Sequence, residues 1–175
     1  GILECVRRDR IAVGRLGRFA DAGGRCDRFG TDGVNERGDA LVRRIAVADT
    51  AQVFWDRMLS ISPWHGVTSV VVGNCGFGIA PTRPAHRDLV LRTLENVEGM
   101  SLDALTSGLG ADWPFETFPE FLAAIERRGT AINFGALVGH TPVRLYVMGE
   151  EATERPATDD EIAAMRAIVG DALRA

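Results

Sequence analysis

A chain of 175 residues, 46% hydrophobic and 25% charged, has the make-up of a globular protein long enough to bury one core. Its net charge of −4, with every positive charge an arginine and no lysine, gives no clustered positive field, so no nucleic-acid partner is expected. No stretch approaches an apolar membrane span, and Cys5, Cys26 and Cys75 lack the framework of a small secreted protein; the expectation is reduced thiols, no membrane partner and a cytoplasmic protein.

Residues 1–49 are crowded with Arg, Gly and Asp, as in GRFADAGGRCDRFGTDGVNERGD, and sustain neither a period of 2 nor one of 3.6. Two brief strands are expected there, RIAVG ending at Gly14 and LVRRIAVAD ending at Asp49. From Thr50 the pattern becomes regular. AQVFWDRMLSISPWHG reads as an irregular or partly helical segment burying Phe54, Trp55 and Trp64, and it leads into VTSVVVGNC, a run apolar on both faces, as a strand between helices requires.

HRDLVLRTLENVEGMSLDALTSGL follows at helical spacing through Leu89, Leu91 or Arg92, and Leu94, with Gly99 as an interruption. FETFPEFLAAIERRG has Thr117 as a cap, Pro119 in the first turn, Glu120 near the start and Gly129 past a basic end, which predicts a helix. AINFGALVGH reads as a second buried strand. TDDEIAAMRAIVGDALRA opens with a capping-box pattern from Thr158 to Glu161 and is expected to be helical to the last residue.

Alternating strands and helices of this kind predict parallel βαβ units, hence an α/β fold, with chemistry at the carboxyl ends of the strands. Cys75 and His140 stand at such ends, each able to aim a candidate ligand at one rim. Other roles stay open for both: a lone cysteine after an apolar run packs as a small hydrophobe, and His140 could bond a backbone carbonyl. His65 is expected to cap or pack a turn, and His86 to lie on a surface loop or a first helical turn. Asp56, Glu95 and Glu98 have no partner imposed by spacing and read as solvated or capping. Cys5 and Cys26 are not spaced as a zinc-finger pair. GNCGFG has neither the GxxxxGK[ST] pattern nor the lysine of a phosphate cradle, which disfavours a flavodoxin-like phosphate binder.

AQVFWDRMLSISPWHGVTSVVVGNCGFGIAPTRP, LENVEGMSLDAL, WPFETFPEFL and INFGALVGHTPVRLYVMG closely resemble the N-acyl-D-amino-acid deacylase (D-aminoacylase) family of the amidohydrolase superfamily, from about Thr50 to Ala175. A weaker resemblance, to the small β-sandwich of amidohydrolases, lies in VRRDRIAVGRLG at residues 6–17. The resemblance implies a (β/α)8 TIM-type barrel with an accompanying sandwich, of which residues 50–175 would be the N-terminal part and residues 1–49 a diverged segment, a sandwich remnant or a frameshifted stretch. It implies a hydrolase of linear amides that converts N-acyl-D-amino acids to a carboxylate and a D-amino acid, with zinc as cofactor and Cys75 as a zinc ligand. Gly73, Asn74 and Gly76 would let the backbone turn there so that sulfur faces the metal.

The family's other ligands and its catalytic base would fall beyond residue 175, so no catalytic residue is assigned. Its HxH motif of the first strand aligns with Ala46 and Ala48, which cannot bind metal. Divergence accounts for this; so do two compensating frame changes in the coding DNA. The chain is therefore expected to be inactive by itself, with a non-catalytic remnant or assembly module as the alternative reading. Arg144 is expected to serve structural pairing rather than substrate contact.

Overall fold

The computed structural model describes residues 45–48, 51–73, 75–110 and 113–175. Cys5, Cys26, Asn74, the strand expected at Gly14 and the sandwich-like stretch lie outside the described residues.

Among the described residues, three short strands form one parallel sheet in the order β1 (Ile45–Ala48), β2 (Ser69–Val72), β3 (Asn133–Ala136). Ala46 is in register with Val70 and Ala48 with Val72; Val70 and Val72 are in register with Phe134 and Ala136. β2 consists of Ser and three valines, whose branched side chains suit a pleated, buried surface. Its Val70 and Val72 are almost wholly inaccessible, while Val71 is half-buried on the other face. The second strand expected before residue 50 is thus present as β1, and the sheet reaches back past that position.

Between β1 and β2 the chain makes a 3-10 turn (Gln52–Phe54) and a single-turn helix α1 (Ile61–Trp64). The expectation that all three aromatic residues here are buried needs correction. Phe54 is half-buried against the rings of Phe115 and Phe121, at 5.3 and 5.9 Å. Trp55 keeps 38% of its surface exposed although one side of its ring lies on Gly108, and Trp64 is 77% exposed. The reason is local: α1 is four residues long and buries none of them, so the helix that carries Trp64 does not face the core. Asp56 takes the capping role, accepting from the Ser60 and Met58 N–H groups at 2.6 and 3.0 Å and from the Ser60 hydroxyl at 3.0 Å. Desolvation pushes its carboxyl up, but these bonds and one from Gln52 together hold it below the ordinary carboxylate value.

Between β2 and β3 lie α2 (Arg87–Glu98), α3 (Leu102–Leu109) and α4 (Phe118–Arg128). α2 ends where Gly99 adopts a left-handed φ of 68°, as its place in the pattern suggests, and the Glu95 carboxylate accepts the Leu102 N–H at 2.9 Å to cap the start of α3. α4 opens with a complete capping box: Thr117 Oγ1 accepts from Glu120 N and the Glu120 carboxylate accepts from Thr117 N. Its Phe118 and Phe121 join Phe54, Trp113, Phe115 and Phe134 in one aromatic cluster that fixes the helix to the sheet.

After β3 come α5 (His140–Met148), a 3-10 turn (Gly149–Ala152) and α6 (Asp159–Arg174). α6 opens with the expected capping box of Thr158 and Glu161. Arg144 has the structural role expected of it: its guanidinium donates to the carbonyls of Ala152 at 2.7 Å and Arg155 at 3.0 Å, tying α5 to the turn behind it. No helix among the described residues is long and apolar enough to cross a membrane.

Candidate metal rim

The loops that leave β2 and β3 at their carboxyl ends interlock. Leu137 N–H donates to the Val72 carbonyl at 2.9 Å, and Thr141 N–H donates to the Gly76 carbonyl at 3.0 Å. Such close approach requires glycine. A Cβ on Gly73, whose φ is +83°, would stand 2.5 Å from the Leu137 carbonyl oxygen, and one on Gly139 would stand 2.8 Å from that of Gly76.

This interlock sets the two candidate donors on one rim. Cys75 precedes Gly76 and is an exposed free thiol. His140 precedes Thr141 and is also exposed, as the first residue of α5 rather than the last of a strand. Its imidazole is held below the ordinary histidine value, first by desolvation against the protein and then by the positive charge of Arg144, so the ring is neutral near pH 7. The bland reading of Cys75 as a packed core residue is not what the structure shows.

The other histidines stay apart from this rim in role. His65 follows α1 as its C-cap residue and is exposed. His86 closes a 3-10 turn (Pro84–His86) and precedes α2, half-buried, near the first-turn position expected for it.

Four residues that the sequence did not single out anchor the far end of the loop that begins at Cys75. Thr82 N–H donates to the Glu116 carbonyl at 2.7 Å, and Arg83 Nε donates to the Tyr146 carbonyl at 2.9 Å while its guanidinium lies 4.7 Å from the centre of the Tyr146 ring. Tyr146 in turn donates its hydroxyl to the Glu116 carboxylate at 2.9 Å, and its phenol is pushed up by burial and by that carboxylate. No local spacing signals this triangle, since its members come from three separate segments.

Zinc at a protein site takes three or four protein ligands. Among the described residues there is no group of three or more His, Cys, Asp or Glu that could hold a metal ion. The donors brought to the rim therefore do not make up a zinc site by themselves.

No family model matches the chain. Similarity to individual proteins is clear: 36% identity over 109 residues to a D-aminoacylase of Alcaligenes xylosoxydans xylosoxydans, covering 62% of this chain and 19% of that protein. An N-acyl-D-aspartate deacylase of the same organism is 41% identical over 111 residues, covering 63% of this chain and 19% of that protein. In three dimensions, the crystal structure of N-acyl-D-glutamate deacylase from Bordetella bronchiseptica, complexed with zinc and a phosphonate inhibitor, superposes with a TM-score of 0.54 at 28% identity, over 75% of this chain and 24% of that one.

Over the matched segment, the chain is similar to N-acyl-D-amino-acid deacylases in both sequence and structure. A solved D-aminoacylase, described as defining a novel subset of amidohydrolases, superposes with a TM-score of 0.54 at 31% identity, over 74% of this chain and 25% of that one. The chain spans about a fifth of the length of the curated deacylases it matches and about a quarter of the solved one.

Proposed function

We propose that this chain is the N-terminal part of a (β/α)8 deacylase barrel, that the complete barrel hydrolyses the amide of N-acyl-D-amino acids in the cytoplasm, and that Cys75 is this segment's contribution to a zinc site. The observation that carries the reading is the exposed thiol of Cys75 at the carboxyl end of β2, in a segment that superposes on a zinc-bound deacylase. In α/β barrels and open parallel sheets this end of the strands is where catalytic groups gather. The segment supplies scaffold and one soft donor. The remaining ligands and the base belong to the part of the barrel that these residues do not span.

A second reading, a non-catalytic remnant or assembly module, is favoured by Ala46 and Ala48 in β1 and by the lack of a metal-holding group among the described residues. The two readings separate when residues 51–175 replace the matching segment of the Alcaligenes N-acyl-D-aspartate deacylase, the 41% identical relative. On the proposed reading the hybrid hydrolyses its N-acyl-D-amino acid, while the 175-residue chain alone releases no D-amino acid. A folded but inactive hybrid supports the remnant.

A further inference from the structure

We infer that His140 is a substrate-contacting residue of the deacylase site, its imidazole N–H donating to the oxygen of the acyl amide; this rests on the function proposed above. His65 stands ahead of β2, at the opposite end of the sheet, and His86 packs against the turn after α5, where a Cβ on Gly149 would lie 3.3 Å from its Nε2. His140 alone of the three follows the carboxyl end of a strand. Its backbone is fixed there from both sides. A Cβ on Gly139 would stand 2.8 Å from the Gly76 carbonyl oxygen, and Thr141 N–H donates to that same oxygen at 3.0 Å. The side chain is not spent on the fold: the ring is exposed and makes no hydrogen bond to a described residue, although a bond to a backbone carbonyl was one role open to it. A donor left open on a rigidly held backbone is what a binding contact needs. Nor is it grouped with two further donors among the described residues, as a zinc position requires.

The group it meets follows from the cations of the segments that frame this rim. A substrate carboxylate is best held by an open guanidinium. Arg83 donates to the Tyr146 carbonyl and lies on that ring, Arg87 donates to the carbonyls of Trp113 and Phe115 at 3.4 and 3.3 Å, and Arg144 donates to those of Ala152 and Arg155. With these three committed to backbone carbonyls, His140 suits the uncharged amide end of an N-acyl-D-amino acid rather than its carboxylate.

The test uses the hybrid deacylase carrying residues 51–175, with His140 intact or bearing His140→Ala or His140→Gln, the last keeping a side-chain N–H for the same bond. With N-acetyl-D-aspartate as substrate, His140→Ala is expected to lower kcat/KM about tenfold, the worth of one neutral hydrogen bond, mainly through a raised KM. Zinc per chain stays unchanged, and His140→Gln recovers most of the loss. Unchanged kinetics in the alanine variant overturn the inference. So does a loss of zinc, which makes His140 a ligand, and so does an equal loss in both variants, which makes its role structural. A hybrid that turns over nothing with His140 intact contradicts the proposed function, and calorimetric binding of N-acetyl-D-aspartate then decides the contact: a weaker dissociation constant in the alanine variant supports it, while equal constants or no binding overturn it. Circular dichroism of the three hybrids shows that a lost contact is not a lost fold.

Discussion

At Gly73 the backbone carries two constraints at once, a left-handed φ of +83° and a carbonyl oxygen of Leu137 where a side chain would begin. Gly73→Ala is expected to lose roughly 1–2 kcal/mol from the backbone conformation alone, with the clash adding to it, read as a lower urea midpoint of the whole chain. An unchanged midpoint would mean that the two strand-end loops are not interlocked as described. The glycines around Cys75 read in the sequence as a turn that frees the thiol, and their left-handed φ angles agree with it. What sequence could not show is the partner of that turn, because Leu137 and Thr141 are brought to it only by the pairing of β2 with β3. His140 illustrates the same limit: its place at the rim was legible, whereas the lowering of its affinity for a proton comes first from desolvation and then from Arg144, one turn along a helix that the sequence did not announce.

Among the elements, those with local signals were the legible ones. Thr117 with Glu120 and Thr158 with Glu161 write their capping boxes into four residues each, and both boxes form. α5 was missed because it opens on Gly139 with no side-chain cap and takes Pro142 in its first turn; its hold comes from Arg144 reaching the carbonyls beyond it. The Glu161 box has a consequence for acid stability. The Arg155 guanidinium, donating at 2.7 and 2.8 Å, and then the Thr158 N–H hold the Glu161 carboxyl down to about 2, from 4.5. The unfolded chain takes up this proton first as pH falls. The stabilisation is therefore fully present above about pH 4.5 and drains away between 4.5 and 2. Glu161→Gln is expected to flatten the loss of stability over that window, measured as urea midpoints at stepped pH; parallel curves for the two proteins would show that the carboxylate is not held by its partners.

Across the whole molecule, one aromatic cluster joins sheet and helices. Phe121 is fully buried at its centre, within 6.4 Å, ring to ring, of Phe54, Phe115, Phe118 and Phe134. Phe121→Ala is expected to cost about 3–5 kcal/mol, which for a domain of marginal stability means loss of cooperative unfolding in a thermal melt; retention of a sharp transition would place the core elsewhere. The apolar patterning conveyed this core well but misassigned Trp64, since hydrophobic character alone does not tell a residue that faces inward from one on a single-turn helix that buries nothing. Among the described residues, the same sheet has two outer strands, β1 and β3.

The central claim is that Cys75 brings the metal to a deacylase barrel. The most direct measurement is the zinc content and the rate of N-acyl-D-aspartate hydrolysis of the hybrid carrying residues 51–175, compared with the same hybrid bearing Cys75→Ala. The account predicts that zinc per chain and kcat fall together on removal of the thiol, with the circular dichroism spectrum unchanged. Full zinc occupancy and undiminished turnover in the alanine variant would contradict it.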